Sequence, residues 1–123
     1  MEVVYEKLLN IKVLEKHDGR AKLSMPFQKE LTNPYGVLHG GAIASLVDSA
    51  AATAVYSRYP EKRFYTVRLH LDFKSAVKSG NIFAEAHLTG QKRNFIFGKV
   101  IVADDGGTLI AQAAATFYII SDV

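Results

Sequence analysis

The run from Leu38 to Arg58 constrains this chain more than any other stretch. It reads Leu-His-Gly-Gly-Ala-Ile-Ala-Ser-Leu-Val-Asp-Ser-Ala-Ala-Ala-Thr-Ala-Val-Tyr-Ser-Arg, holds no proline and is rich in alanine. Such residues favour a helix of roughly four to five turns. That helix is apolar nearly all round, which predicts a buried helix wrapped by something else. One carboxylate, Asp48, sits inside it. Burying an ionised carboxylate is costly unless it is hydrogen-bonded or neutralised, so Asp48 requires an explanation. Just upstream, Asn33-Pro34-Tyr35-Gly36 is a turn, because proline and glycine together fit neither a helix interior nor a central strand. His39-Gly40-Gly41 then opens the helix with free backbone N–H groups and room for a ligand to approach.

Length and composition narrow the possibilities. A chain of 123 residues suffices for one domain with a substantial core, residues 1–123, and is short for two. With 49% apolar residues it is globular, and a net charge of +3 suits an anionic small molecule while being too weak and scattered to predict nucleic-acid binding. Cysteine is absent, which excludes disulfides, a thiol nucleophile and a zinc–thiolate site. His17, His70 and His87 fall on separate predicted strands without ligand spacing, so no metal is expected. The apolar run from Gly40 to Tyr56 is alanine-heavy and broken by Asp48, which argues against a membrane span. The Met1 end shows no apolar signal region, and a cytoplasmic protein is the expectation.

In chain order, Val3 to Leu9 could form a short amphipathic helix. Ile11–Lys16 and Arg20–Met25 read as strands joined by the hairpin signal Asp18-Gly19. Pro26–Leu38 is a loop, and Pro60 stops the helix. Beyond it, Val67, Leu69, Leu71 and Phe73 alternate with polar residues as a half-buried strand does. Ile82 to Leu88 alternates likewise, Gly90–Asn94 reads as a turn, and Phe95–Ala103 and Thr108–Ile120 as two last strands. Ala111, Ala113, Ala114 and Ala115 would let the helix approach the sheet closely. The expected architecture is α+β, an antiparallel sheet curled round one long helix.

The pattern Asn33-x2-Gly36-x2-His39-Gly40-Gly41, with Asp48 nine residues after the histidine and Thr66 eighteen further on, resembles the hotdog-fold acyl-CoA thioesterases. The likeness is to the PaaI-like and THEM2-like branch of the 4-hydroxybenzoyl-CoA thioesterase superfamily, and it extends from Ile11 to Ile120. It implies a hotdog fold and hydrolysis of an acyl- or aryl-acyl-CoA to free acid and coenzyme A, with no cofactor beyond the coenzyme A of the substrate. It also implies an assembly of two subunits or, as a dimer of dimers, four. By that resemblance Asp48 is the nucleophile or general base, and Asn33, His39, Gly40 and Thr66 complete the catalytic group. Gly41, Arg68, Lys92, Arg93 and Asn94 are the candidates for binding the substrate and its coenzyme A.

The residues themselves support that chemistry. Thioester hydrolysis needs an oxygen nucleophile and a fixed place for the charge that develops on the carbonyl oxygen. A helix N-terminus supplies the second, and Gly40 presents its N–H without an obstructing side chain. Asp48 supplies the first, with Asn33 and Thr66 as neutral groups to orient water or the carboxylate. Nine helical residues separate His39 from Asp48 by about 13.5 Å, too far to act on one carbonyl in the same chain. A two-fold dimer with antiparallel central helices would bring Gly40 of one subunit near Asp48 of the other.

Each residue also has a structural reading. Asp48 could accept bonds from a neighbouring strand, His39 could cap the helix, Asn33 could be a turn residue, and Gly40 and Gly41 could serve packing. Thr66 alternates out of phase with Val67 and Leu69, so it should point away from the helix unless strand twist or a partner chain intervenes. Lys92 and Arg93 could be solvated turn charges or a phosphate site. Two other functions share this outline: an acyl-CoA-binding hotdog protein without turnover, and a hydroxyacyl-thioester dehydratase using His39 and Asp48.

Overall fold

The computed structural model describes residues 4–122. Its elements run α1 (Val4–Leu8), β1 (Lys12–His17), β2 (Arg20–Pro26), a 3₁₀ turn (Lys29–Leu31), α2 (Gly40–Arg58), β3 (Lys62–Phe73), β4 (Asn81–Lys92), β5 (Phe95–Asp104) and β6 (Leu109–Asp122). The six strands form one antiparallel sheet in the order β1-β2-β4-β5-β6-β3, so β1 and β3 are its edges. The expected α+β sheet round a single long helix is present. Of the short N-terminal helix, Val3 lies outside the described residues.

Local chemistry accounts for the main elements. The β1–β2 hairpin turns on Asp18 and Gly19, both left-handed at φ 37° and 86°, the geometry a two-residue hairpin demands. Gly19 is also pinned by its surroundings: its N–H donates to Ser57 Oγ at 2.8 Å, and the Arg58 guanidinium lies where a β-carbon would be. α2 runs 19 residues, about 28 Å, from its cap at His39 to Tyr59, with Pro60 beyond. Its inner face carries Leu46, Val47, Ala50, Ala54 and Val55 into a core shared with Leu23, Met25, Ile82, Val100, Val102 and Phe117. Truncating Leu46, which is fully buried, to alanine should cost about 2–5 kcal/mol.

Four expectations are corrected. α2 lies nearest β2 and β4 rather than the alanine-rich β6: Ala111 and Ala115 of β6 are buried in the core but Ala114 faces solvent, and Ala84 and Ala86 of β4 add further small buried side chains. The residues from Gly90 are not all turn: β4 continues to Lys92 through an irregularity at Leu88–Gly90, and only Arg93 and Asn94 link it to β5, Arg93 at φ 56°. α2 is not wrapped on every side. Gly41, Ser45, Asp48, Ala52 and Tyr56, spaced three and four residues apart, form a stripe that is half-buried or exposed. Asp48 is therefore half-buried in the protomer.

The fourth correction concerns β3. Thr66 pairs with Phe117 and Arg68 with Thr116, so Val67 is an extra residue bulged out of the ladder. The bulge resets the alternation: Phe64 and Thr66 face the helix before it, Leu69 and Leu71 after it. Val67 is 45% exposed and contributes nothing to the inner face. Strict period two could have placed only one of Thr66 and Leu69 inward.

Candidate active site

The first turn of α2 is assembled from its own loop. His39 has extended backbone, φ −62° and ψ 137°, and its Nδ1 accepts the Gly41 N–H at 2.8 Å. The His39 carbonyl takes the N–H groups of Ala42 (2.9 Å) and Ile43 (3.3 Å). Among the first four N–H groups of the helix, only that of Gly40 has no acceptor among the described residues. A Cβ on Gly40 would meet the tip of the Phe73 ring at 3.3 Å, so Phe73 walls the site beside this N–H. With Nδ1 accepting, Nε2 carries the proton of a neutral His39 imidazole, and the side chain is exposed.

Asn33 organises the approach to that turn. Its Oδ1 accepts the N–H groups of Tyr35 (2.9 Å) and Val37 (3.2 Å), and its own N–H donates to the Val37 carbonyl at 2.8 Å. This Asx turn leaves Nδ2 as the group Asn33 can offer a ligand. The His39 N–H donates to the Leu31 carbonyl at 2.8 Å, tying the loop to the 3₁₀ turn.

Asp48 lies two turns further along the open stripe. Its Oδ1 accepts the Thr66 hydroxyl at 2.7 Å, a charge-assisted bond from β3 that fixes the carboxylate against the helix. The eight residues from Gly40 to Asp48 separate them by about 12 Å along the axis. The protomer thus brings together Asn33, His39 and Gly40 at one place and Asp48 and Thr66 at another.

The remaining candidates lie elsewhere. Gly41 has its N–H committed to the cap. Arg68 is exposed at the β3 bulge, beside Val67. Asn94 is committed to the sheet, its Nδ2 donating to the Ile119 carbonyl at 3.2 Å and its carbonyl accepting the Ile119 N–H. Lys92 and Arg93 are exposed on the same hairpin, at the C-terminal end of α2, where Tyr59 Oη donates to Gln91 Oε1 at 2.8 Å. That is the end of the helix opposite Gly40.

Neighbours that motif spacing does not point to also meet here. Phe73 was legible only as a strand residue. Ser45, one turn before Asp48, could have been marked from its place on the same helical face. Tyr5 of α1 bonds Ser45 across forty residues of sequence, and no local signal announces it.

A free N–H at the start of one long helix, a carboxylate held within it and an antiparallel sheet wrapped round it define a hotdog-fold thioesterase. The chain belongs to the Thioesterase superfamily, whose model matches residues 35–111. It is 30% identical over 115 residues to acyl-coenzyme A thioesterase 13 of Homo sapiens, covering 91% of this chain and 82% of that protein. Its fold superposes on the E. coli PaaI protein of the phenylacetic acid degradation operon with a TM-score of 0.93 at 20% identity, over 99% of this chain and 88% of that one. A hypothetical thioesterase of Streptococcus pneumoniae, solved with coenzyme A, matches with a TM-score of 0.86 at 19% identity, over 92% and 88%. The chain is a thioester hydrolase of this superfamily. Among the described residues, no helix is long and apolar enough to cross a membrane, a statement that does not bear on β-barrels.

Proposed function

We propose that this single hotdog domain hydrolyses an acyl-CoA to the free acid and coenzyme A, in sites composed from two subunits. The observation that carries the reading is the division of labour along α2: an unpartnered N–H at Gly40 and a carboxylate at Asp48, too far apart for one carbonyl. Gly40 receives the carbonyl oxygen and the charge that develops on it, strengthened by the positive end of the helix. Asp48 of the second subunit either attacks the carbonyl carbon, giving a mixed anhydride that water then hydrolyses to the free acid, or removes a proton from a water that attacks that carbon directly. The thiolate leaves and is protonated. Thr66 holds the carboxylate, and Asn33 offers Nδ2 to the water or the thioester.

Two features favour pairing. β3 is an edge strand of 12 residues with Tyr65, Val67 and Phe73 exposed along it, and such an edge is a template for a second chain. The open stripe of α2, with Asp48 at its centre, is the surface a partner helix would cover. An antiparallel partner would also carry its own Lys92 and Arg93 towards Gly40 of the first subunit, where coenzyme A phosphates could be met. Two such dimers can associate into a tetramer through the outer sheet faces. The compartment that fits a coenzyme A thioester substrate is the cytoplasm.

The test is complementation. Asp48→Ala and Gly40→Pro proteins, each assayed by thiol release over a panel of acyl-CoAs, should be inactive as homodimers. Mixed under conditions in which mass spectrometry shows subunit exchange, they should regain activity, because each heterodimer then holds one doubly damaged site and one intact site. Exchange without recovery would show both lesions to lie in one site and overturn the composite arrangement. An acyl-CoA panel untouched by the unmodified protein would overturn the substrate class.

A further inference from the structure

Two clefts flank the first turn of α2. One, of about 350 Å³, opens at Gly40 between Val37, Ile43 and Phe73 and carries Lys74 at its rim. The other, of about 260 Å³, begins at the next residue, Gly41, and runs under α1 between Tyr5, Leu9, Leu31, Thr32 and Ala42, with Glu30 at its edge. A thioester whose carbonyl oxygen sits on the Gly40 N–H has two arms, the acyl group and the pantetheine, and they leave the carbonyl in opposite directions. The two clefts differ in charge. Lys74 favours the anionic coenzyme A arm, whereas Glu30 repels it, and Leu9, Leu31 and Ala42 give the second cleft an apolar wall.

α1 roofs that second cleft through one bond. The Ser45 hydroxyl donates its proton to the Gly41 carbonyl at 3.0 Å, so its lone pairs accept from the Tyr5 hydroxyl. Tyr5 is thereby fixed across the turn that carries the carbonyl-binding N–H, although it is 55% exposed and its helix is only five residues long. Nothing in the core requires it there.

We infer that Tyr5 is a specificity-determining residue: it closes the cleft beside Gly41, which receives the acyl group and limits its length. The inference rests on the acyl-CoA reading above and adds to it which arm lies where and how large the acyl group can be. In the single chain the cleft is an open groove of about 260 Å³, so a limit on acyl length comes from the Tyr5 ring across it rather than from its volume. A short, branched or single-ring acyl group fits beside Tyr5, whereas a long straight chain meets its ring.

The experiment measures Kd for a series of straight-chain acyl-CoAs of increasing length by calorimetry, on Asp48→Asn protein so that nothing turns over. Tyr5→Ala is then added. Each methylene newly accommodated should tighten binding roughly fourfold, so opening the roof should shift the preferred length upward and raise the long-to-short affinity ratio about tenfold or more. Tyr5→Phe and Ser45→Ala remove the same bond from opposite ends. Each should give a smaller shift of equal size, and the double variant no more than either alone. A length profile in Tyr5→Ala that superimposes on that of its parent overturns the inference, provided circular dichroism shows the fold retained; Tyr5→Phe, which keeps the ring, decides if it is not. If the unmodified protein binds acyl-CoAs but hydrolyses none, the hydrolytic reading fails while the length profile still decides the role of Tyr5. If none binds, both fall.

Discussion

Replacing Gly40 with proline would remove one N–H from the proposed site while leaving the helix that carries it. Gly40 is the first residue of α2, where a missing N–H breaks no intrahelical bond and the fixed φ of proline suits the helix. The preceding residue is already compatible, because His39 at φ −62° and ψ 137° lies in the extended region a residue before proline requires. The steric cost is a β-carbon 3.3 Å from the tip of the Phe73 ring, a side chain 53% exposed and able to yield by a few tenths of an ångström. Gly40→Ala adds the same β-carbon and keeps the N–H, so the two variants differ chiefly in the donor. Losing one preorganised oxyanion donor costs about 2.7–4 kcal/mol, or about 10²–10³ in kcat. Gly40→Ala should therefore stay within about tenfold of the unmodified protein, and Gly40→Pro should fall a further hundredfold or more, read as steady-state thiol release from the best acyl-CoA. Circular dichroism and thermal melting must show both variants folded. A folded Gly40→Pro protein within about threefold of Gly40→Ala would refute the assignment of this N–H to the carbonyl oxygen.

Other expectations follow from the same geometry. Thr66→Val keeps volume and branching but deletes the 2.7 Å bond to Asp48; a half-buried bond to a charge is worth about 1.5–3 kcal/mol, so kcat/KM should fall about 10- to 100-fold, with Thr66→Ser restoring most of it. If the serine variant is as slow as the valine variant, packing rather than the donor matters. His39→Ala removes the side chain that caps Gly41 and should lower stability by about 0.5–2 kcal/mol in denaturant melts, whereas His39→Asn should recover much of it; equal stability of all three would deny the cap. Lys92→Ala with Arg93→Ala should raise KM for acyl-CoA and leave kcat nearly unchanged, and added salt should weaken the parent more than the double variant. An unchanged KM would return both residues to the role of solvated hairpin charges.

The sequence made much of this legible, for identifiable reasons. α2 was readable because its propensity is high, its proline stop clear and its cap adjacent to its glycines. The β1–β2 hairpin was readable because Asp-Gly in the left-handed region has few alternatives. What escaped depended on contacts distant in sequence. The inward placement of Thr66 hinges on a single bulged residue, Val67, and hydrophobic alternation carries no mark of it, since valine fits either face of a strand. The hairpin at Arg93-Asn94 looked longer than it is because Gly90 is a turn former that the sheet absorbed at an irregularity.

The open stripe on α2 is the more instructive difference. A helix of such uniformly small and apolar composition was expected to be buried on every side, yet within the chain Ser45, Asp48, Ala52 and Tyr56 remain uncovered to different degrees. Composition cannot tell a face covered within the chain from one covered by a second chain, because both exclude water and both select the same side chains. The carboxylate breaks the ambiguity. An Asp at the centre of a face covered only by its own sheet would need several donors, and Asp48 has the Thr66 hydroxyl alone among its described hydrogen-bonding partners. A carboxylate with one committed lone pair and the others open, on a surface that composition marks for coverage, is what the proposed composite site asks of a reacting group: oriented within its own chain, desolvated by the proposed partner, and free on the side from which the thioester would arrive.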